Sequence, residues 1–133
     1  MPSPPRPHDH TVLIIEDDTG TREAMRDLLT AQSYGVVCAR DGTVALALLR
    51  SDVRPCVILL DLMMAGFSGD DFRCAQLADR ALRDIPVILV SGAHDLAARA
   101  RALDVAAFIS KPLGIPQLVA TIARHCAEAT AVA

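Results

Sequence analysis

Six side chains in this sequence could do chemistry together: the acidic run Glu16-Asp17-Asp18, then Asp61, Ser91 and Lys111. Each follows a short apolar run. Val12 to Ile15 precedes the acids, Val57 to Leu60 precedes Asp61, Ile85 to Val90 precedes Ser91, and Ala106 to Ile109 leads into Ser110-Lys111. If these runs are parallel strands, all six groups project from one edge of a sheet. Open α/β sheets bind ligands at that edge. Carboxylates gathered there repel one another and need a cation, for which a hard divalent ion with oxygen ligands is the natural choice. Mg²⁺ takes one or two carboxylates, some waters and a phosphoryl oxygen. A serine hydroxyl and a lysine facing such an ion complete a pocket for a phosphoryl group. Asp61 is then either a metal ligand or a carboxylate nucleophile. Taken singly, each residue has a plainer reading: Asp17 or Asp18 as a helix cap, Asp61 and Ser91 as turn residues, Lys111 as a surface lysine. Their joint occurrence at successive strand ends favours the phosphoryl site. Lys111 is also the one lysine against twelve arginines. Lysine is a compact, flexible point charge where arginine is a planar fork.

The elements that must position these groups alternate along the chain. Thr19 to Ser33 places Ala24, Met25, Leu28 and Leu29 on one helical face. Val36 to Ala39 is a second strand. Asp41-Gly42-Thr43 then starts a helix with Ala45, Leu46 and Leu49, ending near Arg54-Pro55. Gly69 opens a third helix with Phe72, Leu77 and Leu82. Asp95 caps a fourth that runs through Leu103. The fifth carries Ile115, Leu118, Val119, Ile122 and Cys126 on one face. Five rounds of strand then helix, with unbroken apolar strands, mean an α/β fold whose parallel sheet is covered on both faces.

The chain has 133 residues and 52% hydrophobic content, which fits one folded domain and excludes disorder over its whole length. No charge-free apolar run is long enough for a membrane helix, and MPSPPRPHDH lacks the apolar core of a secretory leader. The net charge of −3 and the absence of Trp argue against direct nucleic-acid binding. Residues 1–10 carry four of the eight prolines and read as a disordered tail, in which His8 and His10 are solvated rather than metal-binding. The domain then spans 11–127, with a tail over 128–133. Cys38, Cys56, Cys74 and Cys126 are scattered, without metal-ligand spacing. They read as reduced, mostly buried thiols of a cytoplasmic protein.

These residues carry a resemblance to the response-regulator receiver domains of two-component signalling. It rests on VLIIEDD at 12–18, VILLDLMMAGFSG at 57–69, IPVILVSG at 85–92 and FISKPL at 108–113. The resemblance implies a flavodoxin-like (βα)5 three-layer sandwich with strand order 2-1-3-4-5. It makes Asp61 the phosphoacceptor. It makes Asp17, Asp61 and the backbone carbonyl of Met63 ligands of Mg²⁺ or Mn²⁺, with Glu16 acting through water. Lys111 would pair with the phosphoryl oxygens, and Ser91 would bond the phosphoryl group. Phe108 would be an aromatic switch coupled to Ser91, and Asp18 would cap the first helix. Ala65, Ser68 and Ala106 depart from the family pattern, and the stretch from Ser91 to Lys111 is about two residues short of it.

The implied partner is a sensor histidine kinase or phosphotransfer protein, from whose phosphohistidine Asp61 takes the phosphoryl group. A downstream protein, or a second copy in a homodimer, would meet the face built by the fourth helix, fifth strand and fifth helix. Such a domain is no enzyme beyond its own phosphorylation and dephosphorylation. Two alternatives are weaker. A degenerate receiver would bind partners without phosphorylation, yet every chemical group is present. A haloacid-dehalogenase-like phosphatase would need a second aspartate where Met63 stands.

Overall fold

The computed structural model describes residues 10–51, 53–62, 68–112 and 114–132. The apolar runs become β1 (Thr11–Ile15), β2 (Gly35–Ala39), β3 (Val57–Asp61), β4 (Val87–Ser91) and β5 (Ala107–Ser110). Between and after them come α1 (Thr19–Ala31), α2 (Gly42–Arg50), α3 (Gly69–Leu77), α4 (Leu96–Leu103) and α5 (Ile115–Val132). Every neighbouring strand pair is parallel, in the order β2-β1-β3-β4-β5. This is the flavodoxin-like order expected above.

The two-residue period of a strand sorts the core into two layers. Val12 and Ile14 of β1 pack with Met25 and Leu29 of α1 and with Leu118 and Ile122 of α5. Leu13 and Ile15 face the other way, toward Leu46, Leu49, Phe72 and Leu96 of α2, α3 and α4. The sheet therefore lies between two helical layers. Its central strands β3 and β4 are apolar up to their last residues, Asp61 and Ser91, because both of their faces are buried.

Local chemistry starts most of the helices. Asp18 accepts from Thr21 N–H at 2.8 Å, Asp41 from Val44 N–H at 2.9 Å, and Ser68 from Asp71 N–H at 3.1 Å. Each such cap contributes about 1 kcal/mol. Asp95 does not act as expected. It occupies the N-cap of α4 without a side-chain capping bond, its backbone (φ −99°, ψ 24°) lying outside the extended region in which caps form.

Several boundaries differ from the sequence reading. α3 ends at Leu77, so Leu82 lies in the turns that follow, although it remains core. The buried Gln76 amide holds the Leu82 and Ile85 carbonyls at 3.0 Å each and folds that segment back. Leu77 itself is exposed. α2 stops at Arg50, short of Arg54-Pro55. α5 continues to Val132, through most of the span expected as a tail. His10, placed in the N-terminal tail, accepts Gly35 N–H on its carbonyl at 2.9 Å. The rest of that tail, residues 1–9, lies outside the described residues.

The cysteine reading is corrected. Cys56 and Cys126 form a disulfide, with a Cα separation of 5.2 Å. Cys38 is partly buried and Cys74 is exposed, both as free thiols. The chain folds the start of β3 against α5, a pairing that spacing along the sequence does not reveal.

Candidate functional site

The carboxyl ends of β1, β3, β4 and β5 assemble the site. Asp61 is the last residue of β3 and pairs with Val90, so Ser91 stands one position beyond it at the end of β4. Ser91 pairs with Ser110 of β5, and the next residue is Lys111. The loop after β1 brings Glu16 and Asp17 to the same edge. One carboxylate oxygen from each of Glu16, Asp17 and Asp61 lies within 4.8 Å of the others. Glu16 (1% exposed) and Asp61 (4%) are buried, whereas Asp17 is exposed.

Lys111 reaches into this cluster. Its Nζ donates to Glu16 Oε1 at 2.8 Å and lies 3.6 Å from Asp61 Oδ2. Burial pushes the Glu16 carboxyl up, and neighbouring Asp61 adds to this; the bonds from Lys111 and from Asp18 N–H offset only part. Burial opposes the charge on Lys111, but the bond to Glu16 and the negative charges of Asp61 and Glu16 outweigh it and hold the ammonium above its ordinary range. One cation among three carboxylates leaves the edge net negative, and the all-oxygen donor set fits a hard divalent ion. Glu16, Asp17 and Asp61 are the residues that could hold it.

Asp18 stands apart from the cluster. The N–H and hydroxyl of Thr21 bond its carboxylate and hold its pKa below the ordinary value. It is the α1 cap expected from the sequence. Ser91 is fully buried, its hydroxyl accepting Ala93 N–H at 3.2 Å while its carbonyl accepts Lys111 N–H at 2.9 Å. Phe108 pairs with Leu89 in the sheet but is 43% exposed on β5, on the surface rather than in the core. Met63, assigned a metal-ligating carbonyl, lies outside the described residues.

Three contributors escaped the sequence reading. Arg22 sends Nη1 to the Glu16 carbonyl at 2.8 Å and to the Asp17 carbonyl at 3.5 Å, and so clamps the loop that carries both acids. Gly69 opens α3 against the end of β3. A Cβ there would sit 2.9 Å from the Asp61 carbonyl oxygen and 2.9 Å from Leu62 Cα. The buried Arg73 of α3 donates to the Leu103 carbonyl at 2.9 Å and the Asp104 carbonyl at 2.7 Å, tying α3 to the end of α4. The glycine alone left a trace, since it follows a capping serine shortly after a strand-end aspartate. An arginine that bonds backbone carbonyls looks like any surface arginine in a sequence.

Residues 12–123 match the response regulator receiver domain family. The response regulator MprA of Mycolicibacterium vanbaalenii is 33% identical over 111 residues, which cover 82% of this chain and 47% of that protein. The chain thus spans about half the length of the curated relatives it matches. Among solved structures, the signal receiver domain of a signal transduction histidine kinase from Syntrophus aciditrophicus superposes with a TM-score of 0.79 at 28% identity, covering 90% of this chain and 91% of that one. The chemotaxis protein CheY4 of Vibrio cholerae gives 0.79 at 24% identity, covering 87% and 98%, a likeness of fold.

Proposed function

The chain belongs to the response regulator receiver domain family of two-component signalling, and from that premise we propose that Asp61 is its phosphoacceptor. The observation that carries this is the convergence of Glu16, Asp17 and Asp61 within 4.8 Å, with Lys111 Nζ at 2.8 Å from Glu16 and 3.6 Å from Asp61.

An Asp61 carboxylate oxygen attacks the phosphorus of a phosphohistidine on a kinase or phosphotransfer partner. The new O–P bond forms as the N–P bond breaks, and the imidazole nitrogen keeps the electron pair. Lys111 offsets charge on the transferring oxygens. Asp17 and Asp61, with Glu16 through water, would hold Mg²⁺ or Mn²⁺, which would supply further neutralisation of that charge. Hydrolysis of the acyl phosphate returns Asp61 to its starting state, so the chain works as a switch and not as an enzyme on other substrates.

The output reading follows from the same edge. Phosphorylation adds charge beside the buried Ser91, whose hydroxyl accepts Ala93 N–H and would donate its hydrogen to a phosphoryl oxygen. Phe108 then moves inward from its exposed position on β5. The α4–β5–α5 face alters its affinity for a downstream protein or a second copy, as a population shift between two states. No described helix is long and apolar enough to cross a membrane. A cytoplasmic setting and the absence of direct nucleic-acid contact are part of the proposal.

Beryllofluoride, a phosphoryl mimic, tests the reading. With Mg²⁺ present it should raise the melting temperature of the wild type and leave Asp61→Asn unchanged. An equal response in both proteins would remove Asp61 from the phosphoacceptor role.

A further inference from the structure

The receiver chemistry makes no use of the Cys56–Cys126 disulfide. Cys56 immediately precedes β3, and Asp61 ends that strand, so the disulfide lies at the sheet edge opposite the acidic cluster. Cys126 is 2% exposed and closes a stripe on α5 in which Leu118 and Ile122, both fully buried, hold the helix to the sheet at four-residue spacing. α5 continues six residues past Cys126, to Val132. Cys56 is partly exposed. A domain of 133 residues with two core layers does not need a disulfide to fold. Reduced, Cys126 remains a small apolar anchor; oxidised, that anchor is covalent.

We propose that Cys56 and Cys126 form a reversible thiol–disulfide modification site that fixes the end of α5 to the start of β3. On oxidation the two thiols pass two electrons and two protons to a low-molecular-weight disulfide, such as oxidised glutathione, which leaves as two thiols. On reduction a small thiolate attacks Cys56 Sγ and expels Cys126 as a thiolate. A second thiol then releases Cys56 and carries off the mixed partner as a disulfide. The reduced state frees the last turns of α5 to open locally. The site is independent of the phosphoacceptor reading and would stand if that reading failed.

The test uses the full chain equilibrated with oxidised glutathione or with dithiothreitol, then denatured and alkylated with maleimide. The oxidised sample should take two labels, on Cys38 and Cys74, and dithiothreitol should restore labelling of all four cysteines. Amide hydrogen exchange over 126–132 should quicken about tenfold on reduction, as local opening of a helix end predicts. Cys56→Ser should exchange at the fast rate under both conditions. Cys126→Ala, which keeps the buried position apolar, guards against a folding defect and should behave alike. Four labels after oxidation would overturn the site. A formed disulfide with unchanged exchange in α5 would overturn its effect on the helix.

Discussion

Lys111 is the side chain on which the charge balance of the site turns, because it is the cation that touches both buried carboxylates. Lys111→Ala should slow phosphorylation by small phosphodonors about a hundredfold, the scale for losing one charge-stabilising donor, read from single-turnover mass spectra. Glu16 gives a pH prediction. Its folded-state pKa is raised above the ordinary 4.5, chiefly by burial. A raised value contributes stability that is complete below the unfolded pKa and lost as pH rises through the folded one. Without metal, therefore, the wild type should lose stability relative to Glu16→Gln as pH rises above the ordinary 4.5, read by urea unfolding. A parallel course of the two proteins would contradict the burial argument. Arg22 acts on the metal site through backbone. Removing its bonds to the Glu16 and Asp17 carbonyls in Arg22→Ala should weaken Mg²⁺ affinity about tenfold by calorimetry, the usual cost of an outer-shell support.

At the scale of elements, the approach of α3 to β3 fixes the position of Asp61. Gly69→Ala forces a Cβ to within 2.9 Å of the Asp61 carbonyl oxygen and Leu62 Cα, both main-chain atoms that cannot swing aside. It should cost about 1–3 kcal/mol of stability, the range for overpacking, and slow phosphorylation as well. Arg73→Ala would instead remove the guanidinium bonds to the Leu103 and Asp104 carbonyls and to Gln76 Oε1. It should destabilise by about 3 kcal/mol in urea unfolding while Asp61 remains phosphorylatable. These contacts also show what a sequence does and does not disclose. The strands were legible because β1, β3 and β4 are buried on both faces and so apolar without interruption. Glu16, Asp61, Ser91 and Lys111 were legible because a parallel sheet sends every strand end to one edge. The end of α3 was misread because Leu82 is buried from a turn and not from a helix. The disulfide was missed because its cysteines stand 70 residues apart and meet only through packing. Arg22 and Arg73 were missed because bonds to backbone carbonyls leave no pattern among side chains.

For the whole molecule, the sheet separates the two proposed sites in space. Its carboxyl edge gathers negative charge around Lys111, and its amino edge carries the covalent tie to α5. Filling the acidic cluster relieves repulsion in the folded state alone, so Mg²⁺ at a hundred times its dissociation constant should stabilise the domain by about 2.7 kcal/mol. The central claim is covalent, and intact mass measures it directly. After incubation with acetyl phosphate and Mg²⁺, the wild type should gain one phosphoryl group, the gain should vanish on chelation, and Asp61→Asn should show none. A gain retained in Asp61→Asn, or no gain in a wild type that also fails to respond to beryllofluoride, would contradict the account.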